Sequence, residues 1–325
     1  MVSESFAAPD FDVLTVGSAM VEITPAEMGR PLSEVETMVP LPSGSAANFA
    51  AVLAALGVDV ALLARVGDDE LGSWLIDRLT RRGITTDLIL PVGGQRTPVS
   101  FAWMDQGGEK TFYFYRFPGF SDPMAELRPE EIGADVIRRC RLFDFTEATV
   151  RNEPLRSAAL AGARLAREAG REVCYAVNYR PSPWRGQSED EIIAVQREAC
   201  ACADIVVMNT DEAAVVTGTE DVEKAASEIA GLGARMVVIT AGKDGATLLA
   251  DGDLCHLPAR AVEVVYDIGA GDTFHAGLLA AHLKGMPPKA AARFASDAAA
   301  LRISREATRP NPTFHEVLLW SGGRE

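Results

Sequence analysis

Residues 264–285 read VVYDIGAGDTFHAGLLAAHLKG, an apolar pair followed by glycines, a carboxylate and a run of helix formers. The pattern predicts a strand that ends where a helix begins, with Gly269, Ala270, Gly271 and Asp272 at the junction. The first amides of a helix have no partner within it and lie at the positive end of its dipole, which suits an anion. Glycine lets the backbone approach that anion closely. A carboxylate in the same place is odd, because it repels a phosphate. Two readings account for Asp272. It caps the helix, or it takes the proton of a hydroxyl attacking a phosphoryl group held by the amides.

Other chemistries lack their residues. There is no G-x-x-x-x-G-K-[ST] phosphate loop, and the first strand leads into GSAMVE rather than a G-x-G-x-x-G dinucleotide fingerprint. A nicotinamide dehydrogenase therefore loses its main support. Cys140, Cys174, Cys200, Cys202 and Cys255 form no C-x-x-C pair and lie apart from any zinc-like spacing with His256, His275, His282 or His315. That odd, scattered set fits reduced thiols and a cytoplasmic protein. His275 and His282, seven apart, could share a helix face.

A formal net charge of −15 with no basic cluster argues against nucleic acid as a partner. No apolar run reaches the roughly 18 residues of a membrane span, and MVSESFAAPDFD has neither the basic nor the apolar part of a signal peptide. At 325 residues the chain can bury a large core.

The elements that must position the junction are legible as alternation. Apolar runs at 12–17, 58–67, 141–146, 172–177, 204–208 and 235–240 read as buried strands, and 45–57, 69–83, 154–170, 188–202 and 221–232 read as helices. Such alternation predicts a parallel sheet, with ligands at the carboxyl ends of its strands. Two segments break the rhythm. Residues 20–44 carry several prolines without helical periodicity, and residues 97–119 read as two strands about a Gly-Gly turn. Without a linker or repeat, one domain over 1–325 is expected, with these segments inserted as a small sheet over its mouth, a lid, or else standing as edge hairpins without function.

Tyr266-Asp267-Ile268-Gly269-Ala270-Gly271-Asp272-Thr273-Phe274 resembles the D-T-x-G-A-G-D-x-F motif of the ribokinase-like, PfkB-type carbohydrate kinases. PSGSAANFAAVLAALG with ARVGDDELG is similar to that family's G-G-x-x-x-N helix and G-x-D-x-x-G stretch. MNTDEA supplies its N-x-x-E, and VVITAGKDGATLL its T-x-G strand end. The four motifs occur in the family's order along nearly the whole chain. The resemblance implies an α/β fold with a mostly parallel central sheet, helices on both faces and a β-sheet lid, and an ATP-dependent sugar kinase.

Roles follow from the matching positions. Asp272 corresponds to the catalytic base, and the amides of Gly269, Ala270 and Gly271 to the anion hole. Glu212, with Asn209, corresponds to the motif organising Mg²⁺, through water, and the nucleotide phosphates. Thr240, Gly242 and Gly245 match the nucleotide-binding stretch. Gly44 and Asn48 match residues that touch sugar hydroxyls, and Glu22 stands where many members carry a sugar-binding aspartate. The chain departs from the pattern at Tyr266-Asp267, in a loop that binds a monovalent cation in some members, so potassium activation does not follow. Ser43 replaces the first glycine of G-G, and Ala295-Ser296 stands for the adenine-side Ala-Asn.

VNYRPSPW (177–184) resembles the N-x-R-P-x-x-W stretch of 2-keto-3-deoxygluconate kinases and some fructokinases, and FYFYR (112–116) sits where the keto-acid kinases carry Tyr-x-Arg. Arg116 and Arg180 could thus clamp a sugar carboxylate. Phe114 and Ala176 replace polar residues of those patterns, which leaves room for a neutral ketose such as fructose or tagatose. The resemblance also implies a homodimer through the lid. A non-catalytic sensor on a kinase fold is the competing class, although Asp272, Glu212 and Asn209 are all retained.

Overall fold

The computed structural model describes residues 9–27, 29–104, 110–115, 122–181, 184, 186–265, 269–306 and 310–322. Its strands are β1 (Val13–Val16), β2 (Met20–Pro25), β3 (Met38–Ser43), β4 (Val60–Gly67), β5 (Ile89–Val92), β6 (Val99–Met104), β7 (Lys110–Tyr115), β8 (Leu142–Thr146), β9 (Glu172–Ala176), β10 (Ile205–Asn209), β11 (Met236–Thr240), β12 (Ala246–Ala250) and β13 (Asp253–Leu257). The helices are α1 (Ser45–Ala55), α2 (Glu70–Thr80), α3 (Ala134–Arg138), α4 (Glu147–Val150), α5 (Leu155–Glu168), α6 (Glu189–Ala201), α7 (Thr210–Thr217), α8 (Val222–Gly231), α9 (Ala270–Leu283), α10 (Pro288–Ile303) and α11 (Phe314–Gly322).

Nine strands form the main sheet in the order β13-β12-β11-β10-β9-β8-β1-β4-β5. From β11 to β5 every neighbouring pair is parallel, and β12 and β13 continue the other edge antiparallel. Parallel strands need crossovers, and these cover both faces. VLTV of β1 and LFDFT of β8 are accordingly buried at every position. Expected strands and helices from residue 12 to residue 240 appear within a few residues of their anticipated bounds.

The start of the 264–285 stretch is different. No strand forms at Val264 and Val265, which are 57% and 52% exposed. The Val265 amide donates instead to the Ile303 carbonyl at the end of α10, 2.8 Å away. The apolar pair reads as the end of a strand, but here it meets a helix terminus rather than a strand edge. The helix that follows does form, and Thr273 to Ala281 are all buried. α9 therefore lies in the interior against α10, where a Cβ on Gly277 would come within 3.0 Å of Ala295 Cα.

β3-β2-β6-β7 form a second, smaller sheet. Its outer pairs are antiparallel and β2 runs parallel to β6, so the segments around 20–44 and 97–119 join in one sheet. The Gly-Gly turn expected between β6 and β7 lies outside the described residues. All five cysteines are free thiols, four of them buried.

Candidate active site

The α9 start takes its shape from Gly269. This residue is the N-cap in the left-handed region (φ 83), which favours glycine, and among the described residues no side chain caps the helix. The first helical bond from this end runs from Thr273 N to Gly269 O at 2.9 Å. Asp272 is the third residue of the helix and not its cap, so the capping reading falls. A Cβ placed on Gly271 would meet nothing within 4 Å, so the turn faces open space. Gly269, Asp272 and Thr273 line a cavity of about 1360 Å³. Burial pushes the Asp272 carboxyl above the usual aspartate range; His275 and Arg180 pull it back and Asp144 adds to the rise.

Another part of the cavity lining comes from α1 and the smaller sheet. Glu22, Gly44 and Asn48 all line it. Ser43 Oγ donates to Glu22 Oε2 at 3.2 Å, so the residue that departs from G-G holds the candidate sugar carboxylate. Burial raises the Glu22 carboxyl, and the Ser43 hydrogen bond opposes that rise. Gly44 is fixed by contact, since a Cβ there would stand 2.3 Å from the Ser18 carbonyl oxygen. Its carbonyl accepts from Asn48 N at 2.8 Å, which starts α1 with Asn48 one turn in. Phe112 and Phe114 of β7 close this side.

The expected nucleotide residues occupy neighbouring strand ends. Asn209 and Thr240 end β10 and β11 and are register partners. Asn209 Oδ1 accepts from Glu212 N and Glu212 Oε2 accepts from Asn209 N, both at 2.8 Å, a reciprocal cap on α7. Glu212 Oε1 accepts from Tyr179 N at 2.8 Å. Burial raises the Glu212 carboxyl against these two amides. Gly242 and Gly245 bracket the short turn between β11 and β12. None of these five residues lines the cavity that holds Asp272. Tyr179 is the link, because the next residue, Arg180, does line it.

Arg180 is exposed, and its Nη1 donates to the Tyr179 carbonyl at 3.2 Å. Asn178, just before, adopts φ 38, a left-handed backbone that asparagine tolerates better than most residues. Trp184 is buried and its Nε1 donates to Glu147 Oε1. Arg151 grips the same fully buried Glu147 with two hydrogen bonds, at 2.7 and 2.8 Å. The N-x-R-P-x-x-W stretch is thereby tied to α4.

Residues 10–313 match the description pfkB family carbohydrate kinase. The chain belongs to that family. The pfkB kinase is 31% identical over 272 residues to fructokinase-2 of Oryza sativa subsp. japonica, covering 82% of this chain and 78% of the relative. It is 27% identical over 314 residues to 5-dehydro-2-deoxygluconokinase of Shouchella clausii (strain KSM-K16), covering 94% of each. A protein from E. coli assigned as a ribokinase II, solved with ATP and Mg²⁺, superposes with a TM-score of 0.85 at 21% identity over 97% of this chain and all of that one. The architecture is thus ribokinase-like.

Within the kinase, Arg116, Tyr266 and Asp267 lie outside the described residues. Two groups near the site escaped the sequence reading. Arg151 and Asn152 line the cavity from beyond β8, in no motif. Asp144 carried a signal that went unread, a carboxylate inside the apolar strand LFDFT, where a charge needs partners.

Proposed function

We propose that this kinase transfers the γ-phosphate of ATP to a primary hydroxyl of a ketose or keto-sugar acid, with 2-keto-3-deoxygluconate as the substrate. The observation that carries the reading is the cavity itself. It brings a carboxylate, Asp272, to the uncapped start of α9 and faces both with Glu22, Gly44 and Asn48. The sugar binds against these three residues, and its hydroxyl gives its proton to Asp272. The amides of Gly269, Ala270 and Gly271 take the charge that spreads over the phosphoryl oxygens. Nucleotide binds along Asn209, Thr240, Gly242 and Gly245, at the strand ends where a parallel sheet presents ligands.

Mg²⁺ neutralises charge on the phosphates and keeps much of its water shell. Glu212 suits an ion reached through that water. Each of its oxygens accepts one amide, leaving a lone pair for an outer-shell contact. The E. coli structure with ATP and Mg²⁺ supports both cofactors. Nothing among the described residues bears on a monovalent cation.

The whole chain acts as one domain in this reading, with the segments about 20–44 and 97–119 as a lid that excludes water during transfer. β7 is an edge strand whose Phe112, Tyr113, Phe114 and Tyr115 are 47% to 65% exposed. A bare aromatic edge invites a second copy, which supports a homodimer through the lid. Five free thiols support work in the cytoplasm.

Arg180, with its guanidinium at the cavity and a single backbone acceptor, favours an acidic sugar, as does the 5-dehydro-2-deoxygluconokinase relative. A neutral ketohexose such as fructose or tagatose is the second reading. Arg151 is already satisfied by Glu147, and the fructokinase relatives point that way. The test is ADP release with Mg-ATP against 2-keto-3-deoxygluconate, 5-dehydro-2-deoxygluconate, fructose, tagatose, ribose and adenosine. Preference for a keto-acid supports the carboxylate clamp. Preference for a neutral ketose assigns Arg180 to the ATP phosphates or to the scaffold instead. No turnover on any sugar, with ATP still bound, makes the protein a sensor.

A further inference from the structure

Beside the start of α9 lies a buried polar cluster outside the cavity lining. Thr15, Asp144 and Cys174 form one row across three adjacent strands, since Thr15 pairs in register with Asp144 and Asp144 with Cys174. All are buried in the middle of the sheet. Thr15 Oγ1 donates to Asp144 Oδ2 at 2.8 Å. His275, one turn after Asp272 on α9, reaches down to this row. Its Nε2 stands 3.0 Å from Asp144 Oδ1 and 3.3 Å from Cys174 Sγ. The imidazole also stacks on Phe49, with ring centroids 4.2 Å apart and planes at 21°. Phe49 follows Asn48, so the same ring joins the helix that faces the sugar to the helix that carries Asp272.

A charge within an apolar sheet is costly unless it is paired. Asp144 has the Thr15 hydroxyl on Oδ2, whereas Oδ1 lies 3.0 Å from the His275 imidazole without a hydrogen bond of its own. Its field does not stop at those partners. Three groups act on the Asp272 carboxylate: Asp144 from β8 opposes its ionisation, while His275 on its own helix and Arg180 from the segment after β9 favour it. α1, packed on the same side, contributes no titratable side chain.

We propose that Asp144 and His275 are positioning residues for the transfer step: Asp144, held by Thr15 and faced by His275, governs how readily Asp272 accepts the sugar proton. The pair also fixes the turn of α9 on which Asp272 sits. The inference rests on Asp272 as the base. It adds that the base is tuned from beneath by two residues that touch neither sugar nor nucleotide.

The two partners have opposite signs, which makes the pair testable. His275→Gln takes the imidazole away from Asp144 and is expected to make Asp272 harder to ionise. Asp144→Asn removes the opposing charge and makes it easier. The experiment is the pH profile of kcat for wild type, His275→Gln, Asp144→Asn and Asp272→Asn, with KM for ATP and sugar followed in parallel. The acid limb is expected about one pH unit higher in His275→Gln and about one lower in Asp144→Asn, with KM little changed. A purely structural pair would lower the yield of folded enzyme or the plateau and leave both limbs in place. Unmoved limbs, or limbs moving in the same direction, overturn the inference.

If Asp144→Asn does not fold, His275→Gln and His275→Asn decide alone, since both must raise the limb. Stoichiometric zinc in the purified enzyme, lost together with His275 or Cys174, would also overturn it, because a metal would then take the place of the direct contact between Asp144 and His275. Near-normal turnover in Asp272→Asn is a separate outcome. It removes Asp272 as the base whatever the other profiles show.

Discussion

Three local facts support Asp272 as the proposed base: an uncapped helix start beside it, a cavity in front of it and burial around it. Asp272→Asn keeps the shape and loses the proton acceptor. It is expected to bind ATP as the wild type does and to lose about 10²-fold or more in kcat, measured by ADP release beside a nucleotide titration. Because burial holds this carboxyl above the ordinary aspartate range, wild-type kcat should fall with decreasing pH above the usual aspartate value of about 4. Glu212 calls for a different expectation, since its oxygens hold the Asn209 and Tyr179 amides. Glu212→Gln turns one acceptor into a donor, frees Tyr179 and Arg180 from α7, and should cost about 10–100-fold in activity with a greater Mg²⁺ requirement. Metal titration of the variant checks this. Asp272, Asn209, Glu212, Gly44 and Asn48 were legible because each belongs to a short motif whose geometry is local. Asp144 and His275 were not, because their meeting depends on the register of β1, β8 and β9 and on how α9 lies across them.

At the scale of elements, Asp69 shows how one side chain can join three pieces of backbone. Its Oδ1 accepts from Gly72 N at 2.9 Å as the cap of α2 and from Thr97 Oγ1 at 2.6 Å, while Oδ2 accepts from Thr97 N at 2.9 Å. Thr97 leads directly into β6, so the cap ties α2 to the smaller sheet. Burial works to raise this carboxyl, but the Thr97 and Gly72 bonds together hold it below its ordinary value. Asp69→Ala should lower unfolding stability by about 1–2 kcal/mol in urea titration at neutral pH. A depressed carboxyl stabilises above its unfolded value and loses that effect as pH falls through the folded one. The gap between wild type and variant should therefore close in acid, below about pH 4. Most elements were legible because buried parallel strands are apolar runs bounded by helices. Val264 and Val265 misled for the same reason, since two apolar residues carry no record of what lies beside them.

For the whole molecule the central fact is that the cavity is built by both sheets, with Phe112 and Phe114 of β7 and Asp272 all in its lining. Both sheets contribute to the lining, so in the proposed reading movement of the smaller one would set access. The same strand is the exposed edge, so the proposed dimer and the proposed site would share it. Phe114→Lys should convert a dimer into a monomer in light scattering, by placing a charge on that edge. A wild type that is monomeric at micromolar concentration would remove the dimer from the proposal. The alternation of elements announced the layered architecture. Which wall each segment supplies could be known only once strands distant in sequence were paired.

The thiols give the protein a clock. Cys140, Cys174, Cys200 and Cys202 are buried, and burial pushes Cys140 and Cys200 up to about 12 and raises Cys174 and Cys202, so none offers a thiolate to reagent in the native state. Cys255 alone is partly exposed. A thiol-reactive dye should modify one site at once and the other four only as the chain opens, with mass spectrometry reading which and when. Cys174 touches the histidine beneath the base. Its labelling rate, with and without sugar, would report how often the floor of the site breathes and whether substrate stills it.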